Sequence, residues 1–252
     1  MVMGDDAAIT DEAIFQDSNG KVRTAVSSTP NSIGFLSFGY LDESVLAMYI
    51  EGMEPTLSNA ISGDYPVVRP LNMTTLGEPT GEVAAWLEFI MGDDGQQIVF
   101  DEGYIPVGGA IVDELLAEAE EAEEVTPEEV AISLVGSTTV QPLAEKLGEQ
   151  YMEQNPNVKI DVAGGGSSSG VKAAGDGTAD IGNASREVKD SEFDTYPDIK
   201  PFVIARDGIA IVAHPEATVD ELTIEQARQI FAGEITNWSE VGGDNAPITV
   251  VS

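Results

Sequence analysis

Two stretches of this 252-residue chain place glycine and hydroxyl side chains where an apolar strand gives way to a helix. One is Gly136-Ser137-Thr138-Thr139, which follows the run Ala131 to Val135. The other is Gly164-Gly-Gly-Ser167-Ser168-Ser169-Gly170, which follows Val158 to Ala163. Such loops expose backbone N–H groups and hydroxyls at the positive end of a helix dipole. That arrangement binds an oxyanion without a full positive charge. Helix capping and turn formation call for the same residue types, so each loop alone supports both readings. Two of them in consecutive βα units favour the anion, because the ends of parallel strands converge on one crevice. Neither is a nucleotide loop, since Gly-x-x-x-x-Gly-Lys and Gly-x-Gly-x-x-Gly with its later acid are both missing.

Other chemistry has little to work with. The chain has no cysteine and one histidine, His214, beside Pro215 at the end of an apolar run. Disulfides, thiolate metal sites and a cysteine nucleophile are excluded, and no second His or Cys exists to build a metal or nucleophile cluster. No cofactor is implied. Trp86, Trp238 and Tyr104 read as packing residues. Arg186 and Arg206 stand out because basic residues are few and both lie near predicted strand ends; the plainer reading of each is a surface ion pair.

Charge sets the next limit. There are 45 acidic residues against 11 Lys and Arg, for a formal net charge of −34. Nucleic acid is not an expected partner, because phosphate backbones need a cationic surface. Such acidity keeps a chain soluble but destabilises the compact state through self-repulsion, which salt screens. The composition suits a halophilic protein. It also opposes anions at long range, so an anion site here must act through local donors.

The elements that would position the loops can be read from pattern. Ser32 to Ser37 reads as a strand and Gly81 to Met91 as a helix. Leu143, Leu147 and Tyr151 recur at helical spacing and stop near Asn155-Pro156. Ala179 to Asn183 and Gly208 to Ala213 read as strands. Thr223 caps a helix running to Phe231, with Gln226 completing a capping box. Ala110 to Glu124 reads as a helix inside an acidic linker, since Asp113 to Glu129 holds nine acids and no base. Strands alternating with helices predict an α/β fold with a largely parallel sheet. No apolar run reaches the roughly 18–20 residues needed to span a bilayer. Met1 opens onto Val-Met-Gly-Asp-Asp and not onto a signal peptide, so an export signal is expected to lie outside this sequence.

Several motifs together resemble the phosphate-binding protein of the ABC phosphate transporter. They are Gly136-Ser-Thr-Thr-Val-Gln-Pro-Leu-Ala-Glu145, Gly164-Gly-Gly-Ser-Ser-Ser-Gly-Val-Lys172, Gly177-Thr-Ala-Asp-Ile-Gly-Asn-Ala-Ser-Arg186, Asp207-Gly-Ile-Ala210 and Ile230-Phe-Ala-Gly-Glu-Ile-Thr-Asn-Trp-Ser239. Ser32-Ile-Gly-Phe35, Tyr65-Pro-Val-Val-Arg-Pro-Leu71 and Gly103-Tyr-Ile-Pro-Val107 match as well. Relative to that family the order is rotated: residues 1–107 resemble its C-terminal half and 130–252 its N-terminal half. The order fits a circular permutation or a piece spanning two tandem copies, with the halves pairing within a chain or in a domain-swapped dimer. The family's Arg-x-x-Gly-Ser-Gly-Thr-Arg segment is not in this sequence.

The resemblance implies an α/β, two-lobed periplasmic-binding-protein type II (Venus flytrap) fold, circularly permuted. Residues 69–107 and 130–205 would form one lobe and 1–68 with 206–252 the other, joined by a linker over 108–129. It implies inorganic phosphate as ligand, an ABC permease as partner and an extracytoplasmic location. The implied phosphate-binding set is Ser137, Thr138, Thr139, Ser167, Ser168, Ser169 and Ser185, with Arg186 where some members carry a carboxylate that accepts the proton of hydrogen phosphate. With one segment missing, weakened binding is expected. The alternatives are a permuted or split scaffold that needs an insert or partner fragment to bind, and, with least support, a phosphoester hydrolase.

Overall fold

A computed structural model describes residues 9–108 and 130–252 of the chain. The expected helix over 110–124 lies outside the described residues. The chain divides into two compact units. Unit 1 comprises Met1–Arg69 with Asp207–Ser252, and unit 2 comprises Pro70–Arg206.

Unit 2 carries both glycine–hydroxyl loops. Its strands are β4 (Val68–Leu76), β5 (Val130–Gly136), β6 (Val158–Gly164), β7 (Ile181–Ala184) and the first part of β8 (Ile199–Ala213), in the order β8-β4-β7-β5-β6. β5 pairs in parallel with β6 and with β7, while β4 runs antiparallel to β7. The expected largely parallel sheet is therefore mixed. The antiparallel strand comes from the first part of the chain and enters the sheet from unit 1. The expected strand over Ala179 to Asn183 starts later, because Thr178 and Ala179 donate to the Ala173 carbonyl and close a helix end first.

Helix α3 (Gly81–Met91), α4 (Asp93–Asp101) and α5 (Gln141–Gln154) share one apolar core with the sheet. α5 buries Leu143, Ala144, Leu147, Gly148 and Tyr151, a stripe with the 3.6-residue period expected of an amphipathic helix. Those side chains meet Trp86 and Leu87 of α3, Ile132 and Leu134 of β5, and Ile181 of β7. Trp86 and Tyr104 are core residues, as the sequence suggests. Helix α6 (Ser167–Gly175) packs elsewhere. Its Val171 and Ala174 form a separate cluster with Ala184, Val188 and Ile199.

In unit 1, β1 (Ser32–Ser37) lies between β10 (Thr249–Val250), parallel, and the second part of β8, antiparallel; β2 (Leu46–Ala47) also pairs with β8. A two-stranded parallel pair joins β3 (Tyr49–Ile50) and β9 (Glu221–Leu222). Helix α1 (Asn19–Ser28) lays Val22 and Val26 on this sheet. Helix α2 (Leu57–Ser62) is capped by the Thr56 hydroxyl. Helix α8 (Ile224–Phe231) starts with the capping box expected of Thr223 and Gln226, both halves of which are formed. Trp238 is buried and donates its indole N–H to the Asn31 carbonyl. The remaining short helix, α7 (Asp190–Thr195), belongs to unit 2.

Strands β4 and β8 both pass from one unit to the other, and a buried ion pair sits where they do. Arg69 donates from Nε and Nη2 to Oδ2 of Asp207, at 3.0 and 2.9 Å, and Ser37 donates to Oδ1 at 2.6 Å. The Asp207 side chain is 1% exposed. Burial pushes its carboxyl up from the ordinary range, and Arg69 and Ser37 oppose that shift. Removing one partner of such a pair leaves an uncompensated buried charge. Arg69→Met is expected to lower the unfolding free energy by about 3–5 kcal/mol. Lys172→Met, at the exposed Lys172–Asp176 pair, is expected to leave it almost unchanged. Denaturant unfolding at constant salt measures both.

Candidate oxyanion site

The first loop leaves β5 at Gly136, whose φ of +146° is glycine territory. A Cβ here would fall 2.2 Å from the Asn183 carbonyl oxygen, so the position also requires close approach to β7. The same Asn183 carbonyl accepts the Ser137 N–H at 2.8 Å. The Ser137 hydroxyl turns inward, 2% exposed by residue, and accepts from the N–H groups of Thr139 and Val140 at 3.2 and 3.4 Å. It thus caps the start of α5, which has no other side-chain cap. Thr139 is buried too, and its carbonyl accepts the Tyr104 hydroxyl at 3.1 Å. Thr138 is half-buried and faces the second loop: a Cβ built on Gly164 would meet its methyl at 3.3 Å.

The second loop is tied to the first by the Gly166 N–H, which donates to the Gly136 carbonyl at 2.9 Å. Gly166 is the N-cap of α6 and has no side chain to cap it. The N–H groups of Ser167, Ser168 and Ser169 precede the first intrahelical bond, made by Gly170 to Gly166, so they point out of the helix start without helical acceptors. Gly170 sets how deep that start sits. A Cβ there would lie 2.5 Å from the Asn183 carbonyl oxygen and 2.8 Å from that of Val135, so only glycine lets α6 lie on β5 and β7.

A third segment closes the group. The Ser185 N–H donates to Ser167 Oγ at 3.1 Å, with the two hydroxyl oxygens 3.4 Å apart. Arg186 donates from Nη2 to Ser168 Oγ at 2.9 Å. Its guanidinium also grips Glu192 of α7 with both terminal nitrogens, each at 2.8 Å. Arg186 is held in place from behind as well, since its carbonyl accepts Asn72 Nδ2 at 2.8 Å. The Glu192 carboxylate accepts a further N–H from Lys189 at 2.9 Å. The bonds from Arg186 hold its pKa below the ordinary glutamate value.

All eight residues singled out from the sequence fall on three adjoining segments of unit 2. Ser168 and Ser169 are exposed, Ser167 is half-buried, and Ser137, Thr139 and Ser185 are buried. Arg206, by contrast, contributes its backbone to a bridge with Ile105 and leaves its side chain exposed. His214 is half-buried and accepts the Glu216 N–H on Nδ1. Among the described residues, no group of three or more His, Cys, Asp or Glu is placed to hold a metal, and no helix is long and apolar enough to cross a membrane. Sequence reading missed Glu192, Asn72 and Asn183. Asn183 is fully buried on β7, and neither atom of its amide has a protein partner. The polar residue within Asp180-Ile-Gly-Asn-Ala is its only signal in the chain; Glu192 has none, since six residues of separation match no helical spacing.

The chain matches the model of the PBP superfamily domain over residues 117–252. It is 34% identical over 233 residues to the phosphate-binding protein PstS 2 of Streptococcus agalactiae serotype V, covering 92% of this chain and 75% of that one. Against PstS 2 of Streptococcus pneumoniae serotype 4 the figures are 34% over 231 residues, 91% and 75%. Among solved structures, the phosphate-binding protein of a phosphate ABC transporter from Streptococcus pneumoniae superposes with a TM-score of 0.68 at 32% identity, covering 92% of this chain and 86% of that one.

The Arg186–Glu192 pair makes a pH prediction. A carboxylate whose folded pKa is depressed adds stability above its unfolded value and loses it as pH falls through the folded one. The stability advantage of the natural chain over Glu192→Gln should therefore be complete near neutral pH. It should shrink as pH drops below the ordinary glutamate range. Paired unfolding curves across acid pH at constant salt read this difference.

Proposed function

This chain belongs to the phosphate-binding-protein family within the PBP superfamily, and on that premise we propose that it binds inorganic phosphate as the solute receptor of an ABC phosphate transporter. The observation that carries the reading is the convergence of three segments, 136–139, 164–170 and 185–186, on one patch of unit 2. They are joined by the Gly166–Gly136, Ser185–Ser167 and Arg186–Ser168 hydrogen bonds. A tetrahedral oxyanion there would receive the outward N–H groups of Ser167, Ser168 and Ser169 and the hydroxyls of Thr138 and Ser168 from two helix starts. Thr139 would act from below, through its place in the loop. The work is binding without turnover, and the partner that reads it is a membrane permease, which puts the protein on the extracytoplasmic side. The rotated order of the motifs, with residues 1–107 resembling the family's C-terminal half and 130–252 its N-terminal half, is what supports a circularly permuted member.

Calorimetric titration of inorganic phosphate in high salt tests the reading, because salt screens the repulsion from a chain of net charge −34. Saturable binding is expected. Ser168→Ala removes an exposed hydroxyl that donates to a charged ligand, a bond of about 1.5–3 kcal/mol, and should weaken binding about ten- to a hundred-fold. An unchanged affinity in that variant would place the anion elsewhere.

A further inference from the structure

Among the described residues, the sheet of unit 2 ends on β6. Its order runs β8-β4-β7-β5-β6, so β6 has a strand on one side only. The ladder to β5 fixes which main-chain groups are left over. Val130 stands opposite Val158 and donates its N–H to the Asn157 carbonyl. In a parallel ladder alternate residues bond to the same neighbour. Asn157, Lys159 and Asp161 therefore face β5, and Val158, Ile160 and Val162 direct their N–H and C=O groups away from it. The Val158 N–H is taken by the Asn155 carbonyl, while the Ile160 N–H reaches Met152 Sδ at 3.3 Å, a weak acceptor. A groove lined by Glu145, Gly148, Glu149, Met152, Ile160 and Val162 opens between α5 and this edge.

Such an edge is a template for another strand, and proteins guard it with proline, a bulge or charge. β6 holds no proline, and its charges are not of one sign. Lys159 and Asp161 share one face, exposed, and pair with each other at 2.7 Å. Val158 and Ile160 are buried on the other face, with Val162 half-buried beside them. A two-fold axis through Ile160 would set Val158 opposite the partner's Val162 and Lys159 opposite the partner's Asp161. Sliding the strands to the next register that keeps the outward groups paired sets Lys159 against the partner's Lys159, or Asp161 against the partner's Asp161. Like charges directly opposed are destabilising, so the pattern selects one register. In that register Gly164 would meet the partner's Pro156, which has no N–H, and pairing stops short of the glycine–hydroxyl loop.

We propose that β6 is a dimerisation edge: two copies of this chain pair antiparallel about Ile160 and continue one sheet from unit 2 of one chain into unit 2 of the other. The pairing gives the Ile160 N–H a carbonyl in place of sulfur. It replaces the internal Lys159–Asp161 contact of each chain with one across the interface. The contact is isologous, needs no exchange of segments and does not depend on what the candidate site binds. Charge sets its conditions. Each chain carries a net charge of −34, and Glu145 and Glu149 flank the edge. Long-range repulsion opposes the approach and salt screens it, whereas hydrogen bonds between strands act at short range.

Sedimentation equilibrium of the full chain over a range of concentrations reads the association. A reversible dimer is expected, its dissociation constant falling at least tenfold between about 0.1 M and about 1 M salt. Val162→Pro removes an outward N–H and should abolish the dimer, with denaturant unfolding confirming that the variant still folds. At the lowest salt that supports the natural dimer, the Lys159→Asp chain and the Asp161→Lys chain should each be monomeric alone, because like charges then stand opposed. Mixed, they should form a dimer, a rescue that no merely misfolded variant gives. A monomer at every salt and concentration would overturn the proposal. A dimer that survives Val162→Pro would place the contact elsewhere and overturn it as well. Failure of the mixed chains to associate would overturn the register.

Discussion

Everything at the candidate site depends on how closely main chain approaches main chain around Asn183. Its carbonyl oxygen takes the Ser137 N–H, and it lies where a side chain on Gly136 or Gly170 would have to stand. One peptide group of β7 thus fixes the exit of β5 and the seating of α6 together. A methyl group at either glycine would collide with backbone and not with a flexible side-chain tip, so the structure has no cheap way to yield. The consequence is geometric. Two helix starts that belong to successive βα units are held side by side, with the Gly166 N–H tied to the Gly136 carbonyl between them.

That geometry suits a chain of this charge. With 45 acids and 11 bases, free cations are scarce, and any long-range field repels an anion. Peptide dipoles are indifferent to this scarcity. They act over a few ångströms, they are fixed by the fold, and they lose no side-chain entropy when a ligand arrives. Three hydroxyls are prepared in the same way: those of Ser137, Ser167 and Ser168 each accept from a donor already in the protein. A site that relies on preset dipoles needs no reorganisation to bind, and salt, which weakens long-range forces, does little to contacts this short.

The legible parts of the sequence were those where one local rule decides the outcome. Ser32 to Ser37 and Gly81 to Met91 match their elements end to end, and Thr223 with Gln226 forms the capping box its spacing spells out. The glycine–hydroxyl loops were visible as a pair, since capping accounts for either one alone and two in consecutive βα units favour an anion. What could not be read depends on distant partners. α1 carries Asn19, Gly20, two Val, a Thr and two Ser among its ten residues, mostly weak formers, and is stabilised by laying Val22 and Val26 on a sheet assembled from residues up to 251. The first part of β8 holds Lys200-Pro201, which reads as a break, yet the strand runs through it for 15 residues from one unit to the other. Arg186 was visible as a rare cation, but its binding to Glu192 was not, because a six-residue separation across a loop and a helix start carries no periodic mark.

The two Arg–carboxylate pairs show why the same chemistry has different meanings in one fold. Arg69–Asp207 is desolvated, with the carboxylate 1% exposed and a third partner, Ser37, completing its hydrogen bonds. Two charges removed from water gain little net stability from each other; what the pair enforces is register, since any shift of Val68–Leu76 against Ile199–Ala213 would strand a buried charge. Arg186–Glu192 is 17% and 16% exposed, so water still reaches both and the cost of parting them is lower. It lies at the edge of the candidate site, where Arg186 Nη2 also donates to Ser168 Oγ. Burial, more than residue type, therefore separates the pair that holds the backbone in register from the pair that water still reaches.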